Sequence, residues 1–270
     1  MRKFDDDEPA RDVTSLLEVE HASVSYGPFR AVRDVSIHVD EHEIVGLIGP
    51  NGAGKTSLFN AISGLIRADH GSVIRFDDVN ISRLSPTRRA RLGIGRSFQH
   101  LGLMMAETVT TNVMGAQFLT SKYRGWDVLF RPRRCRKIEE RIYNHSLDLL
   151  AQFRLTPFLA SPVSDLSFAG ARFVELCGVL ARGPKLVLLD EPTTGLSPEE
   201  CDRLRDALVR IRAEEGVTVL VISHDVRFVM NTADRVYVLA AGSVLVEGTP
   251  EEVRSDPVVI STYLGTKAIE

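Results

Sequence analysis

The sequence of 270 residues contains only three cysteines, one tryptophan and no long apolar run. Cys135, Cys177 and Cys201 form no CxxC pair and have no histidines at metal-ligand spacing, which argues against a zinc site or a disulfide framework. Such sparse cysteines are typical of a protein in a reducing cytoplasm. Because a membrane-spanning helix needs about 18 or more consecutive apolar residues, the sequence predicts no span of its own.

No single sign of charge dominates, since 33 Lys and Arg residues face 36 Asp and Glu residues and the formal net charge is −3. That balance does not demand a nucleic-acid partner. The chain is long enough for one large domain with a sizeable core or for two small domains. Residues 1–14 are acidic and contain no hydrophobic stretch, so we expect a disordered tail there and no signal peptide.

The hydrophobic pattern predicts an α/β domain over residues 15–265, followed by a short tail at 266–270. Apolar and polar residues alternate over 17–26 and 32–39, which indicates an antiparallel sheet. Helical periodicity within residues 99–165 predicts an inserted helical subdomain. The remaining predicted elements are strands at 44–48, 186–189 and 217–223, helices from Lys55, over 199–215 and near 250–254, and a hairpin over 235–245.

The strongest local motif is GPNGAGKT at residues 49–56, which satisfies GxxxxGK[ST] between an apolar strand and a helix start. That position disfavours a chance glycine-rich turn. The glycines let successive backbone N–H groups point at a phosphate, and the helix N-terminus adds a positive field. Lys55 would contact the β- and γ-phosphates, and Thr56 would offer its hydroxyl to Mg²⁺. The candidate nucleotide-binding residues here are Gly49, Pro50, Asn51, Gly52, Ala53, Gly54, Lys55, Thr56 and Ser57.

The sequence LVLLDE at residues 186–191 puts two acids at the end of an apolar strand. Asp190 is the predicted partner of Mg²⁺. Glu191 is the predicted general base for the attacking water. A solvated acidic strand end would have the same sequence, so these acids alone do not decide between the two interpretations. Together with the glycine-rich loop they predict a nucleotide-hydrolysing site.

The order of the glycine-rich loop, Gln99, the LS dipeptide at Leu166, LLDEP and His224 resembles ABC ATPases over nearly the whole chain. The resemblance implies a P-loop NTPase (RecA-like) core with an N-terminal antiparallel β-subdomain and an inserted helical subdomain. It also implies a head-to-tail pair of ATPase subunits, in which each ATP lies between one subunit's glycine-rich loop and the other's signature motif. ATP hydrolysis, with Mg²⁺, would release the pair and drive alternating access in membrane subunits.

Three residues take their predicted roles from this resemblance. Tyr26 would stack on the adenine ring. Gln99 would sense the γ-phosphate and contact the metal, which makes it a candidate catalytic residue and a candidate metal ligand. His224 would hold the γ-phosphate and orient water. Without the resemblance, Tyr26 would be an ordinary strand-end residue and His224 a structural histidine.

The signature motif departs from the LSGGQ pattern usual in the family, because residues 166–172 have the sequence LSFAGAR. The resemblance implies that Ser167, Phe168, Ala169 and Gly170 act on the partner's ATP. We expect the methyl of Ala169 to lie where the backbone approaches phosphate, and Gly170 to lack a side-chain amide. With Ser197 in place of the usual Asp or Asn, these changes predict a weakened partner face and a different ATPase subunit as partner. Neutral drift within a working site is the alternative.

The C-terminal sequences GTPEEV, DPV and YLG resemble ATP-binding subunits of branched-chain amino-acid importers. That resemblance implies permeases as partners, a solute-binding protein as an indirect partner, and a cytoplasmic position on the inner face of the cell membrane. Similar ATPases import urea or short amides or export lipopolysaccharide. Substrate choice belongs to the other subunits, so this chain does not reveal it.

Two other segments leave alternatives open. Phe98, Leu101, Leu103, Met104 and Met105 could line a groove for a permease's coupling helix, or could be ordinary core of the helical subdomain. The basic stretch at residues 131–141 lacks interleaved aromatic residues, which favours a solvated helix face over a nucleic-acid or headgroup site.

Two other classes of ABC protein fit the sequence less well. A soluble ABC ATPase of DNA repair or translation usually has a long coiled-coil insertion or two cassettes, and this sequence has neither. A regulatory subunit that does not hydrolyse ATP would have no need of Glu191 and His224.

Overall fold

The computed structural model describes residues 15–97, 102–118 and 132–264, which fold around two β-sheets. The first sheet is antiparallel, and its longest strands are β1 (Ser15–Tyr26) and β2 (Phe29–Asp40). These two strands pair from Ser15–Asp40 to Tyr26–Phe29, which confirms the strands predicted from alternation. After β3 (Ile44–Ile48), which belongs to the second sheet, the chain returns as β4 (Val73–Phe76) and β5 (Val79–Asn80). The order in the first sheet is β2-β1-β4-β5.

The β4–β5 hairpin was not predicted from the sequence. Its turn residues Asp77 and Asp78 both have positive φ angles, 51° and 60°. Two successive residues with positive φ are the mark of a type I′ hairpin turn, which Asn and Asp tolerate better than most residues. The strands have only four and two residues. They are therefore too short to show an alternating pattern.

The second sheet has six strands, of which five are parallel. They comprise β3, β6 (Ile94–Arg96), β7 (Leu186–Asp190), β8 (Thr218–Ile222), β9 (Arg235–Ala240) and β10 (Ser243–Gly248), in the order β10-β9-β3-β8-β7-β6. Only β10 runs antiparallel to its neighbour. Every residue of β3, β7 and β8 is buried, as expected of parallel strands covered on both faces. The strands and the hairpin predicted for this region are confirmed.

The parallel strands end side by side, and this alignment positions the site. Asp190 at the end of β7 is in register with Ile222 at the end of β8. β3, which precedes the glycine-rich loop, pairs with β8 on its other side. Because the carboxyl ends of parallel strands share one sheet edge, the loop at 49–56, Glu191 and His224 lie along the same edge.

Two short 3₁₀ helices, Thr156–Phe158 and Val163–Asp165, and nine α-helices are present in the described part of the chain. The α-helices are α1 (Lys55–Ser63), α2 (Pro86–Leu92), α3 (Val109–Phe118), α4 (Pro132–Gln152), α5 (Phe168–Leu180), α6 (Pro198–Glu215), α7 (Val226–Met230), α8 (Pro250–Ser255) and α9 (Pro257–Leu264). α1 starts at Lys55, as predicted, and α6 begins within one residue of its predicted start. None of these helices is long and apolar enough to span a membrane.

The central strands contribute alternate residues to two separate cores. Ile44, Val187 and Val219 pack on the side of α5 and α6. Val45, Leu188 and Leu220 pack on the opposite side, together with α1 and the antiparallel sheet. Each fully buried aliphatic side chain contributes roughly 1.5–3 kcal/mol relative to exposure. The strand ends that carry the candidate site are therefore held from both faces of the sheet.

The helices between β6 and α5 form the predicted helical segment. α3 packs on both α4 and α5. A buried polar contact ties α3 to α4, since Gln117 Nε2 donates to Ser146 Oγ at 2.7 Å and to the Ile142 carbonyl at 3.2 Å. Within the basic stretch, the side chains of Arg136, Lys137 and Arg141 are exposed, in agreement with a solvated helix face.

Arg89 on α2 caps the C-terminal end of α1, a role that was not predicted. Its Nη1 donates to the carbonyls of Ala61 and Ile62 at 2.6 and 2.7 Å. Arg89 is only 2% exposed, and burial lowers its pKa to about 10. The last carbonyls of a helix lack partners within the helix, so this guanidinium supplies a donor to the Ile62 carbonyl and a second donor to the Ala61 carbonyl, which also accepts from the Gly64 N–H at 3.2 Å.

Candidate functional site

The loop at residues 49–56 needs glycine at two positions, because at each one the loop backbone packs against a carbonyl oxygen of a different strand. A side chain at Gly49 would overlap the carbonyl oxygen of Leu239, on strand β9. A side chain at Gly54 would overlap the carbonyl oxygen of Ala31, on strand β2, and Gly54 also has a φ of +99°. The loop is therefore pressed between both sheets, and its backbone can take this path only without Cβ atoms there.

We expect Gly54→Ala to lower the melting temperature and to weaken ATP binding, because the new methyl would force the loop away from Ala31. A left-handed backbone costs a non-glycine residue about 1–2 kcal/mol before any overlap is counted. Gly52→Ala is the matched control, since Gly52 has a φ of +82° but no atom lies within 4 Å of the position that its Cβ would take. Thermal unfolding and ATP titration of both variants measure the difference. Equal losses in both would contradict the packing argument.

Lys55 is buried at the start of α1, with 7% exposure. Its Nζ donates to the carbonyls of Gly49 and Pro50 at 2.6 and 3.1 Å, so the ammonium lies within the curve of its own loop. Burial lowers the pKa of Lys55, while the charges of Glu191 and Asp190 act in the opposite direction. A cation held here with two acids nearby suits a group that binds phosphate oxygens.

Asp190 is 2% exposed and pairs with a residue that the sequence did not single out. Its Oδ2 accepts a hydrogen bond from Arg96 Nη2 at 2.9 Å. Its Oδ1 is buried and has no hydrogen-bond partner among the described residues. A buried carboxylate oxygen left without a donor is a suitable partner for a hydrated Mg²⁺ ion. The residues present therefore fit the metal, since Thr56 is exposed on α1 and its hydroxyl oxygen could serve as a ligand.

Glu191 has an unusual backbone, with a φ of +51°. A left-handed conformation in a glutamate is strained, and such strain occurs often at functional sites. Its Oε2 accepts from the backbone N–H of His224 at 3.0 Å and contacts His224 Nδ1 at 2.6 Å. Because a carboxylate only accepts, Nδ1 is the donor in that contact. The structure thus joins the predicted base directly to the predicted histidine.

An open cavity of about 310 Å³ lies beside the loop and Glu191. Tyr26 and Phe29 form one wall, and they are exposed by 47% and 59%. The Tyr26 hydroxyl lies 3.4 Å from Ser57 Oγ. Phe29 was not identified from the sequence, although an exposed aromatic residue that starts a strand is a recognisable signal. Two exposed rings beside a phosphate-type loop provide apolar surfaces suited to a planar base.

The signature residues lie at the start of α5. Ser167 is the N-cap, and its hydroxyl accepts from the backbone N–H of Gly170 at 3.1 Å. Phe168 is 57% exposed, and its ring covers Gly195, where an added Cβ would lie 2.9 Å from Phe168 Cε1. Ser167, Phe168 and the loop at residues 194–197 therefore form one continuous surface, which we call the signature face.

The expectation for the methyl of Ala169 was wrong. Ala169 is 4% exposed and belongs to the core beneath α5, so its methyl packs inward and not towards a phosphate. Gly170 is also tightly packed, because an added Cβ would lie 3.0 Å from Leu166 Cδ2. The helix periodicity that turns residue 169 inward is not evident from a motif comparison alone.

Three predicted residues of this region are not among those the structure describes. Gln99 lies outside the described residues, as do Phe98 and Leu101 of the predicted groove. Of the other groove residues, Leu103 packs against the core, whereas Met104 and Met105 are exposed by 49% and 46%.

Comparison with known proteins decides the family. The family model described as ABC transporter matches residues 32–194. The chain belongs to the ABC transporter family. A second model, described as Branched-chain amino acid ATP-binding cassette transporter, matches residues 243–269 of this ABC subunit.

Individual relatives agree with this assignment. The high-affinity branched-chain amino acid transport ATP-binding protein BraF of Pseudomonas aeruginosa is 35% identical over 250 residues, which are 93% of this chain and 98% of BraF. The lipopolysaccharide export system ATP-binding protein LptB of Haemophilus influenzae is 36% identical over 255 residues, with coverages of 93% and 98%. Among solved structures, the ADP conformation of MJ1267, an ATP-binding cassette of an ABC transporter, matches with a TM-score of 0.79 and 27% identity, covering 93% and 99%.

The matches confirm the predicted fold and activity. The chain is an ABC ATPase subunit with a P-loop NTPase core, and it is homologous to branched-chain amino acid transport ATP-binding proteins. It binds ATP, and its hydrolysis of ATP is coupled to transport.

Proposed function

We propose that this ABC subunit powers the import of branched-chain amino acids or related small solutes through partner permeases. The observation that carries the proposal is the match of residues 243–269 to the branched-chain amino acid cassette model, which is separate from the general ABC match. The name and 35% identity of BraF support the same substrate class. Lipopolysaccharide export is the second candidate because LptB has a similar identity over a similar length.

Within the site, Lys55 and the N–H groups of the loop bind the phosphates, and the Tyr26–Phe29 wall contacts the base. Both bonds from His224 go to Glu191 Oε2, which leaves Oε1 as the oxygen that accepts the proton of the attacking water. His224 holds the carboxylate in place through its two bonds to Oε2, and in this proposal its other ring nitrogen contacts the γ-phosphate. Gln99 keeps its predicted role beside the metal and the γ-phosphate.

Thr56 and Asp190 would hold Mg²⁺ between the loop and strand β7. When bound, the ion neutralises negative charge on the transferring phosphoryl group. Oδ1 of Asp190, which has no hydrogen-bond partner within the described ranges, supports this assignment, since it could accept from a metal-bound water without breaking the bond to Arg96.

The signature face is the surface for a second ATPase subunit. It is supported by the exposure of Phe168 and by the packing of this ring over Gly195, which joins the two segments that the family resemblance predicts to contact the partner. The Ser167 hydroxyl already accepts from Gly170, so its N-cap geometry is formed before a partner arrives. Gly170 lacks the usual amide, and a different ATPase subunit remains our proposed partner.

The permease would dock near Met104 and Met105, which places the subunit at the inner face of the cell membrane. Asn112 fixes the backbone of this segment, because its side chain accepts from Met104 N at 2.8 Å and donates to Met104 O at 3.1 Å. The backbone is therefore held while both methionine side chains are exposed, and methionine adapts well to an apolar partner helix.

We expect ATP-dependent uptake of leucine, isoleucine or valine when the chain is co-produced with its partner ATPase subunit, its permeases and a solute-binding protein. The assay is uptake of labelled amino acid into proteoliposomes loaded with ATP, with Glu191→Gln in the same complex as the matched control. Uptake that does not depend on ATP would contradict the proposal. ATP-dependent extraction of lipopolysaccharide in place of amino-acid uptake would favour the second candidate.

A further inference from the structure

Arg96, at the end of strand β6, connects three parts of the catalytic half-site. Its Nη2 donates to Asp190 Oδ2 at 2.9 Å, and its Nη1 donates to Asn60 Oδ1 at 2.8 Å and to Ser63 Oγ at 2.7 Å. Asn60 and Ser63 belong to α1, the helix that begins at Lys55. One guanidinium therefore ties the acidic strand β7 to the helix of the phosphate-binding loop.

The pair formed by Arg96 and Asp190 is buried. Their side chains are 10% and 3% exposed. A carboxylate buried to this extent is costly unless a counter-charge is close. Lys55 is also near, but its ammonium donates to the carbonyls of Gly49 and Pro50. Arg172 donates to the backbone carbonyl of Asp190 at 3.4 Å, and its charge is paired with Glu175. Among the described residues, Arg96 is thus the cation that bonds to the carboxylate of Asp190.

The two oxygens of the Asp190 carboxylate have different surroundings. Arg96 occupies Oδ2, and Oδ1 is left without a hydrogen-bond partner among the residues the structure describes. The guanidinium is rigid and planar, so it fixes the direction in which Oδ1 points. The guanidinium is itself bonded to Asn60 and Ser63 of α1, the helix that also carries Thr56.

We propose that Arg96 is a positioning residue that aims Asp190 Oδ1 at the metal and supplies the counter-charge of Asp190 when Mg²⁺ is absent. The inference rests on the proposed role of Asp190 at the metal. In the absence of the metal, Arg96 shields the phosphates of ATP from the carboxylate of Asp190. Once Arg96 is removed, ATP alone meets an uncompensated negative charge, whereas Mg²⁺·ATP brings its own cation.

The test is the affinity of the full-length chain for ATP, measured by calorimetry with excess Mg²⁺ and again with EDTA. The dissociation constant in EDTA divided by the dissociation constant in excess Mg²⁺ reports how strongly ATP binding depends on the metal. For Arg96→Met we expect this ratio to rise roughly tenfold, the order expected when one unit charge is removed from a partly buried site. Arg96→Lys keeps the charge and should stay close to the wild-type ratio.

Two further variants separate the possible explanations. The double variant Asn60→Ala with Ser63→Ala removes both bonds from Arg96 to α1 and should leave the ratio unchanged. If Arg96 acted only as a structural tie, this double variant would show the same change in the ratio as Arg96→Met. In an Asp190→Asn background, Arg96→Met should change the ratio little, because the charge that Arg96 balances is gone. If Arg96→Met does not fold, Arg96→Gln removes the same charge and keeps a donor for Asp190.

The outcomes distinguish failure of the inference from failure of the proposed metal site. An unchanged ratio in Arg96→Met, with a clear change in Asp190→Asn, would overturn the role of Arg96 and leave the metal site standing. An unchanged ratio in Asp190→Asn would overturn the assignment of Asp190, and with it the inference.

Discussion

Lys55→Ala is expected to weaken ATP binding about 100-fold or more and to abolish ATP turnover. The ammonium is the cation of the phosphate-binding loop, and hydrogen bonds to charged groups contribute about 1.5–3 kcal/mol each. Loss of two such bonds to phosphate corresponds to at least about two orders of magnitude in the dissociation constant. Titration with ATP and a phosphate-release assay measure both effects.

The matched control for this substitution is Lys185→Ala. Lys185 is exposed and pairs with Asp77 at the edge of the molecule, so its removal changes the net charge equally without touching the loop. ATP affinity close to wild type is expected for the control. An unaltered dissociation constant in Lys55→Ala would mean that ATP does not bind at residues 49–56.

Glu191→Gln should abolish most turnover and preserve ATP binding. General-base catalysis contributes typically 100- to 10,000-fold, and the amide cannot accept the proton from water. The side-chain oxygen of glutamine can still accept from the backbone N–H of His224, so the local geometry should survive. Single-turnover hydrolysis and ATP titration on the same sample separate the two properties.

Glu41→Gln serves as the control for charge, since Glu41 is exposed in the turn before β3, at the opposite end of that strand from the phosphate-binding loop. Its turnover should match the wild type. Turnover of Glu191→Gln within a few-fold of wild type would show that another group accepts the proton, and the mechanism proposed above would then be wrong.

The phosphate-binding loop and the acidic strand end could be predicted because their signals are local. The glycines, Lys55 and Thr56 follow one another, and Asp190 and Glu191 directly follow a run of buried aliphatics. The parallel arrangement of the strands then brings these segments to one edge, as the structure shows. Such motifs carry their chemistry in spacing, which a single sequence preserves.

Arg96 could not be predicted because its partners are distant along the chain. Asp190 is 94 residues away and Asn60 is 36 residues away, so only the fold brings them together. The sequence did hold one signal, which is a charged residue at the end of a short apolar strand. The inward orientation of Ala169 was missed for a related reason, since it depends on how α5 is rotated against the core.

The most direct test of the central claim is the rate of ATP hydrolysis by this chain reconstituted with its partner ATPase subunit and permeases, measured with and without a leucine-loaded solute-binding protein. We predict hydrolysis that rises on addition of the loaded protein and is lost when this chain carries Glu191→Gln. A rate that neither responds to the loaded protein nor depends on Glu191 would contradict the account.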